Sequence, residues 1–249
     1  MPIDAVVPAR NEETTVAAVV AACLGCEHVR EVIVVDDSSD DATGEVAAAA
    51  GAKVVTRVGD GSKAHAMEAG VEATDADAIL FVDADCLGLT ARHLDAICEP
   101  FVAGRAVMSL GWFDYGFWNP LVLRCPPLSG ERIIPRWVWE AIPPHKLDGY
   151  TIEVRINEVI AERRLRTVAR TMNGVYHRTK RVKLGRWAGF QRTWSMYRDL
   201  TRLVWPIGDV GEDLVGGHRA PAGHKGTIGT AATWRRRQQP AAALVEVFG

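Results

Sequence analysis

The feature that most constrains this chain is the repeated alternation, over residues 1–110, of short β-branched runs with alanine-rich segments of helical length. Such alternation is typical of βαβ units, whose right-handed crossovers build a parallel sheet. The β-branched runs are apolar throughout (AVV, VIVV, AILFV), as expected where helices cover both faces of a sheet. We therefore expect an α/β fold with a mostly parallel sheet flanked by helices. The predicted strands are Ile3–Val7, Glu31–Val35, Lys53–Thr56, Ile79–Val82 and Ala106–Leu110, and the predicted helices are Thr14–Leu24, Asp41–Ala50, Lys63–Ala73 and Ala91–Val102.

The pattern changes after Leu110. Residues Gly111–Pro127 mix aromatic residues, proline and glycine without a clear period, which predicts an irregular segment or lid. Beyond it we expect helices near Pro135–Ala141 and Thr151–Arg163, and a strand near Arg166–Thr171.

Charge is distributed unevenly along the 249 residues, although the formal net charge is only −2. Residues 1–150 carry 11 Lys and Arg against 23 Asp and Glu, whereas residues 151–249 carry 18 against 8. The basic second part suits an anionic partner such as a phosphorylated small molecule or an acidic lipid. It shows no nucleic-acid-binding motif, so we expect no nucleic-acid partner.

The N-terminal sequence favours a cytoplasmic location, because it lacks the basic region and apolar run of a secretory signal. Five cysteines, an odd number, fit a reducing compartment. Cys23 and Cys26 form a CxxC motif late in a predicted helix, without a second CxxC to complete a metal site. We interpret them as buried thiols.

Polar clusters follow three of the predicted strands: PARNEE, DDSSDD and DAD. Sheets of this kind bind ligands at the carboxyl ends of their strands, so the clusters are expected to converge on one crevice. A dinucleotide site would need G-x-G-x-x-G after the first strand, where PARNEE stands instead. The stretch GDGSK also lacks the spacing of a P-loop.

Asp83-Ala84-Asp85 is the most informative of these clusters because it follows a buried strand. Two carboxylates side by side in a crevice are costly to ionise unless a cation neutralises them. Mg²⁺ and Mn²⁺ take oxygen ligands and commonly bridge carboxylates to a substrate's phosphates. An isolated DxD also arises by chance, but its position at a strand end favours a divalent-metal site with Mn²⁺ or Mg²⁺ as the cofactor.

The ordered segments VVPARNEE, VVDDSSDDAT, GSKAHAMEAG and FVDADC resemble the GT-A glycosyltransferases of family 2. The similarity is strong over Ile3–Asp85 and continues in LSGER, GYTIE and MNGVYHR, which resemble segments of polyprenyl-phosphate and glucosyl- or mannosyl-glycerate enzymes. It implies a GT-A fold and a nucleotide-sugar donor. It also implies a nucleotide-sugar-binding part at 1–110, an acceptor-side part at 111–184 and a C-terminal helical extension at 185–249.

The resemblance also implies roles for individual residues. Asp85 is the expected direct metal ligand, Asp83 lies near the ribose and the metal, and His177 completes the coordination, although a histidine here could equally be an ordinary surface residue. The expected nucleotide-sugar-binding residues are Pro8, Ala9, Arg10, Glu12, Asp37, Lys63, Asp83 and Ala84. The expected acceptor-side residues are Ser129, Gly130 and Arg132.

Glu153 is the candidate catalytic base, since an inverting transfer needs a group that takes the acceptor's proton. The alternative is a favourable acidic residue in the first turn of a helix. Asp148 is the second candidate, and an acceptor phosphate would need no base.

A basic and aromatic helix is predicted at Arg186–Leu203, with Trp187, Phe190, Trp194 and Tyr197 on one face. We expect this apolar stripe to pack on the core or on a second subunit of a homodimer, or else to lie on an anionic membrane surface.

The sequence thus predicts metal-dependent transfer of a hexosyl group from a nucleoside diphosphate sugar, UDP-linked, to an unidentified small-molecule or lipid-phosphate acceptor. One alternative is a polyprenyl-phosphate glycosyltransferase peripheral to the membrane. A nucleotidyltransferase is the alternative from another class, although the Gly-rich basic loop usual after its first strand is absent. A non-catalytic nucleotide-binding module is the last alternative, and the intact DxD argues against it.

Overall fold

A computed structural model of the chain describes residues 1–59, 61–113, 129–144 and 152–177. The strands in these residues are β1 (Ile3–Ala9), β2 (Glu31–Asp37), β3 (Lys53–Arg57), β4 (Ala78–Phe81), β5 (Cys86–Leu87), β6 (Met108–Phe113), β7 (Arg132–Pro135), β8 (Thr167–Met172) and β9 (Tyr176–His177). The helices are α1 (Val16–Leu24), α2 (Thr43–Ala49), α3 (Lys63–Glu72), α4 (Ala91–Val102), α5 (Arg136–Glu140) and α6 (Ile152–Glu162).

Seven strands form one sheet in the order β3-β2-β1-β4-β7-β6-β8, and β5 and β9 form a separate two-stranded ribbon. Strand β1 pairs in parallel with β2 and β4, β2 with β3, and β6 with β8. Strand β7 is antiparallel to both of its neighbours, β4 and β6. The sheet is mostly parallel, which confirms the predicted α/β fold.

Alternate residues of the central strands face two different hydrophobic layers, as the period of two in a strand requires. In β4, Ala78 and Leu80 pack with α1 and α4 on one face, whereas Ile79 and Phe81 pack with α3 and α6 on the other. All four side chains are at most 1% exposed. Burying a Leu, Ile or Phe side chain contributes about 1.5–3 kcal/mol, so this strand anchors the residues that follow it.

The structure differs from the sequence predictions around β6 and β7. Strand β6 continues through Gly111–Phe113, paired with β8, so the prediction of an irregular segment is wrong for these three residues. Residues 114–128 of the chain lie outside the described residues. The sequence does not predict β7, because RIIP is four residues long and begins with an arginine. The sheet crosses the predicted boundary at residue 110, and the division into three parts stays a prediction.

The cysteines of the CxxC motif are buried, as predicted. Cys23 and Cys26 are free thiols packed with Cys98 between α1 and α4, and burial raises the pKa of Cys23 well above its usual range. Of the helices described, none has the length and apolar character needed to cross a membrane. The basic helix predicted at Arg186–Leu203 lies outside the described residues.

Candidate active site

The polar clusters of the sequence come together at one edge of the sheet. Strands β2, β1 and β4 are adjacent and parallel, so their carboxyl ends point the same way. DDSSDD, PARNEE and DAD extend from these ends in that order across the sheet. Parallel strands of α/β proteins bind ligands at this edge.

Asp83 and Asp85 have different partners in the crevice. Asp85 Oδ1 lies 3.0 Å from His177 Nδ1. Asp83 Oδ1 lies 2.6 Å from the Lys63 Nζ. Burial alone would raise the pKa of Asp83, but the positive charges of Lys63 and then His177 outweigh it and hold that pKa below its usual range. Asp83 is therefore ionised at neutral pH.

The ribbon of β5 and β9 positions His177. Cys86 pairs with His177 across this ribbon, which places the imidazole next to Asp85. A Cβ at Gly88 would lie 2.4 Å from the carbonyl oxygen of Gly174, and both glycines have positive φ angles, +77° and +79°. Only glycine satisfies this turn without strain. The ring of Phe113 packs against the imidazole at a centroid distance of 4.4 Å.

The electrostatics of His177 favour its protonated form in the metal-free protein. Burial alone would lower its pKa, but the hydrogen bond to Asp85 and the charges of Glu131, Asp83 and Asp85 raise the pKa to about 9. A site that holds an imidazolium among three carboxylates also suits a metal ion, which would take the proton's place.

Glu131 belongs to this cluster, although it is not among the site residues that the sequence predicts. Its side chain is 0% exposed and accepts hydrogen bonds from the Ser129 hydroxyl at 2.7 Å and the Cys86 thiol at 2.8 Å. Burial and the charge of Asp83 raise its pKa above the usual range. The only indication in the sequence that Glu131 belongs to the site is its position beside Gly130, an expected acceptor-side residue.

Two overlapping sets of side chains could hold a metal ion among the described residues. One set is Asp83, Glu131 and His177, and the other is Asp85, Cys86 and His177. The ligand atoms of each set lie within 4.8 Å of one another. The first set offers two carboxylates and an imidazole, which fits Mn²⁺ or Mg²⁺, whereas the thiol in the second set favours softer ions.

The SGER segment packs beneath Asp83. A Cβ at Gly130 would lie 2.2–2.5 Å from the carboxylate atoms of Asp83, so a side chain there would displace that carboxylate. Arg132 is fully buried and donates from its guanidinium to the Ser129 carbonyl at 2.9 Å and to the Asn157 side chain at 3.1 Å. Arg132 thereby links this segment to α6. An acceptor-side role for Ser129, Gly130 and Arg132 stays a prediction.

Lys63 connects the two sides of the crevice. Its Nζ lies 2.6 Å from Asp83 and 2.8 Å from Glu153 Oε1, in the first turn of α6. The Lys63, Asp83 and Glu153 side chains are 25%, 19% and 10% exposed. Glu153 is therefore linked to Asp83 through Lys63, and its role as the catalytic base stays a prediction. Asp148, the second candidate base, lies outside the described residues.

The residues expected to hold the nucleotide line the ends of β1 and β2. Ala9 and Asp37 are buried, Pro8 and Glu12 are half-buried, and Arg10 is exposed. Ala84, also in this set, is buried between the two metal-site aspartates.

Arg57 is a neighbour of this pocket that the sequence did not reveal. Its guanidinium lies 2.6 Å from the Asp37 carboxylate. Arg10 extends over the next loop, where a Cβ at Gly61 would lie 2.0 Å from its guanidinium. Two arginines thus stand at this end of the crevice, where an anionic ligand would be stabilised.

The loops after β1 and β2 hold each other in place. The Asn11 backbone donates to the Ser39 hydroxyl, and the Asn11 side chain accepts from the Asp40 backbone at 2.7 Å. The Glu12 backbone donates to the Thr43 hydroxyl at 2.8 Å. Asn11 adopts a positive φ of 57°, a conformation that asparagine tolerates better than most residues. These contacts fix the pocket walls before any ligand binds.

The mostly parallel sheet and the carboxylate-histidine cluster at its carboxyl edge define an α/β enzyme domain of the GT-A class. The model of the family described as "Glycosyl transferase family 2" matches residues 4–150. The chain belongs to glycosyl transferase family 2, and the predicted GT-A glycosyltransferase is confirmed.

A curated relative is 4,4'-diaponeurosporenoate glycosyltransferase of Staphylococcus haemolyticus (strain JCSC1435), with 35% identity over 117 residues. The match covers 43% of this chain and only 31% of that relative.

Among solved structures, glucosyl-3-phosphoglycerate synthase from Mycobacterium tuberculosis in complex with Mn²⁺, uridine diphosphate and glucosyl-3-phosphoglycerate has 24% identity and a TM-score of 0.66. That match covers 81% of this chain and 78% of the synthase. The same synthase with Mg²⁺ and uridine diphosphate has 21% identity and a TM-score of 0.63, covering 86% and 82% of the two chains. At these identities the likeness establishes the fold.

Proposed function

We propose that this chain transfers a hexosyl group from a nucleoside diphosphate sugar, with UDP as the nucleotide, to a small acceptor, and that the reaction needs Mn²⁺ or Mg²⁺. The observation that carries the proposal is the cluster of Asp83, Asp85, Glu131 and His177 at the carboxyl edge of the sheet. The diphosphate of a nucleotide sugar is anionic, so carboxylates beside it need a cation between them and the phosphates.

Asp85 and His177 are the first candidates to hold the metal, with Asp83 beside them. Their donor atoms are oxygens and one imidazole nitrogen, which fit Mn²⁺ and Mg²⁺ and lean towards Mn²⁺. When bound, such an ion supplies charge that stabilises a departing diphosphate. The half-buried imidazole would bind a metal in its neutral form, and the contact with Asp85 would keep the ring oriented.

The pocket on the other side of the DxD suits the nucleoside. Asp37 would accept a hydrogen bond from the base or ribose, and its ion pair with Arg57 keeps the carboxylate oriented. Arg10 and Lys63 would supply positive charge along the path of the diphosphate. Preorganised positive charge at a leaving group is commonly the largest contribution to transition-state stabilisation.

The donor and metal are further supported by what the structural relatives are described as binding: Mn²⁺, UDP-glucose and phosphoglyceric acid in one synthase complex, and Mg²⁺ with UDP in another. Phosphoglyceric acid in the synthase and diaponeurosporenoate in the name of the curated relative are both acids, which favours an acidic acceptor. A polyprenyl phosphate, peripheral membrane contact and homodimer formation stay predictions.

Glu153 is the candidate catalytic base on the acceptor side. Its carboxylate lies at the crevice, held at 2.8 Å by Lys63. Donor binding would draw Lys63 towards the diphosphate and release Glu153 to accept a proton from an acceptor hydroxyl. A carboxylate in that position typically contributes about 10²–10⁴-fold to the rate.

The experiment that tests this function measures thermal unfolding of the full chain with a panel of nucleoside diphosphate sugars, with Mn²⁺ or with EDTA. We expect a UDP-sugar with Mn²⁺ to raise the Tm, and the same sugar in EDTA to have little effect. Ligand at 100 times its Kd adds about 2.7 kcal/mol to the unfolding free energy. A shift of equal size in EDTA, or shifts only with nucleoside triphosphates, would contradict the proposal, the latter in favour of a nucleotidyltransferase.

A further inference from the structure

Glu131 is a buried carboxylate whose surroundings are incomplete without a cation. Within the described part of the chain, the hydrogen bonds it accepts come from the Ser129 hydroxyl and the Cys86 thiol, both neutral. The adjacent Arg132 directs its guanidinium to the Ser129 carbonyl and to Asn157. The side chain of Glu131 is nevertheless completely shielded from solvent.

The energetic cost of this arrangement is large. Burying an ionised carboxylate costs several kcal/mol even after the protein relaxes. Hydrogen bonds to a charged group return about 1.5–3 kcal/mol each, so two of them leave little or no surplus. Asp83 stands nearby, and its repulsion exceeds the attraction of His177. Buried charges of this kind are normally paired with an opposite charge or coordinate a metal.

The position of Glu131 indicates that its missing partner is a metal ion. Ligand atoms of Glu131, Asp83 and His177 lie within 4.8 Å of one another. Two atoms bound to one cation at about 2.0–2.3 Å can be at most about 4.6 Å apart, so this spacing needs only a small contraction. We propose that Glu131 is a ligand of the divalent cation, together with Asp83 and His177. This inference rests on the metal-dependent function proposed above.

The consequence is a site built from three separate parts of the chain: the DxD after β4, the residue that precedes β7, and the end of β9. The Ser129 hydroxyl and the Cys86 thiol then act as positioning groups that orient the Glu131 carboxylate. Such outer hydrogen bonds typically change metal affinity by about 10–100-fold when they are removed.

The test compares Mn²⁺ binding and thermal unfolding in the full chain, without measuring turnover. Mn²⁺ affinity is read from the electron paramagnetic resonance signal of the free ion, and Tm is measured in EDTA and in Mn²⁺. We expect Glu131→Gln to weaken Mn²⁺ binding by at least about tenfold. The Tm in EDTA should stay constant or rise, because the variant removes a buried charge and keeps its shape. Glu158→Gln is the matched control, because Glu158 pairs with Arg155 on α6 and should leave both measurements unchanged.

A purely structural Glu131 would give the opposite pattern: a lower Tm in EDTA with an unchanged Mn²⁺ affinity. That result overturns the inference. If Glu131→Gln does not fold, Glu131→Asp decides, since it keeps the charge but withdraws the carboxylate from the cation. A folded Glu131→Asp whose Mn²⁺ affinity is at least about tenfold weaker supports a ligand, and an unchanged Mn²⁺ affinity overturns it.

Asp85→Ala distinguishes failure of this inference from failure of the proposed function. If Asp85→Ala weakens Mn²⁺ binding and Glu131→Gln does not, the metal site stands and only the role of Glu131 is wrong. If neither variant changes Mn²⁺ binding, or if the wild type binds no Mn²⁺, the metal-dependent function itself is contradicted.

Discussion

The ammonium group of Lys63 lies between the carboxylates of Asp83 and Glu153, in the place that a metal ion would otherwise take. The ammonium lies 2.6 Å and 2.8 Å from the two carboxylates, and none of the three side chains is more than 25% exposed. Burial alone would lower the pKa of Lys63, but the two carboxylates raise it above its usual range. Lys63→Met keeps the length of the side chain and removes this charge.

We expect Lys63→Met to lower the unfolding free energy in EDTA by about 2 kcal/mol. Exposed pairs contribute about 0–1 kcal/mol, and breaking a fully buried pair costs about 3–5 kcal/mol, so a partly exposed triad falls between. In a domain of this size the loss corresponds to a Tm lower by about 4–8 °C.

Mn²⁺ should reverse the defect. In the wild type the ion competes with Lys63 for Asp83, whereas in the variant it meets an unpaired carboxylate. Each tenfold gain in Mn²⁺ affinity adds about 1.4 kcal/mol at a fixed excess of metal. The rise in Tm on adding Mn²⁺ should therefore be larger for Lys63→Met than for the wild type, while turnover falls because the charge near the diphosphate is lost.

Differential scanning fluorimetry in EDTA and in Mn²⁺ measures both effects. Lys53→Met is the control, because Lys53 is half exposed and lies 3.9 Å from the Glu31 carboxylate. We expect the control to change stability by less than about 1 kcal/mol and to leave the Mn²⁺ effect unaltered. The reasoning is refuted if Lys63→Met matches the wild type in EDTA and responds equally to Mn²⁺.

Three further predictions concern the same crevice. Asp85→Ala should keep the wild-type circular dichroism spectrum and abolish turnover, with a smaller loss for Asp83→Ala, and full activity in excess EDTA would disprove the metal role. Because the pKa of His177 is raised to about 9, its charged form stabilises the metal-free fold fully below about pH 6.5, and this contribution is lost as the pH rises through about 9. Mn²⁺ must displace that proton, so calorimetry should show affinity rising about tenfold per pH unit from 7 to 9, and a flat profile in His177→Ala. Glu153→Gln should lower turnover by about 10²–10⁴-fold with unchanged donor affinity, and a loss confined to the acceptor KM would make Glu153 a positioning residue.

The sequence predicted those parts of the site that follow directly from a strong local pattern. Asp83 and Asp85 come right after a buried apolar strand, so their place at the edge of the sheet follows from the strand alone. The parallel order of β2, β1 and β4 then brings three polar clusters together.

Other parts depend on contacts between distant residues, which a single sequence does not encode locally. Glu131 meets Cys86 across 45 residues, and Lys63 meets Glu153 across 90. Strand β7 owes its existence to its place between β4 and β6, because RIIP has no alternation or length that would predict a strand. His177 was identified through a resemblance, and the two-residue ribbon that positions it has no sequence pattern of its own.

The balance of charge in the crevice indicates the order of binding. Four carboxylates, Asp83, Asp85, Glu131 and Glu153, stand against the cationic side chains Lys63, His177 and Arg132. Arg132 is buried against backbone and amide oxygens and does not reach the solvent. An approaching diphosphate thus meets a negative DxD edge unless a divalent cation is already bound. The imidazolium of His177 is already engaged with the carboxylate of Asp85. We therefore expect the metal to bind before or together with the donor, so that the affinity for UDP rises with Mn²⁺ concentration, and by linkage the affinity for Mn²⁺ rises by the same factor with UDP.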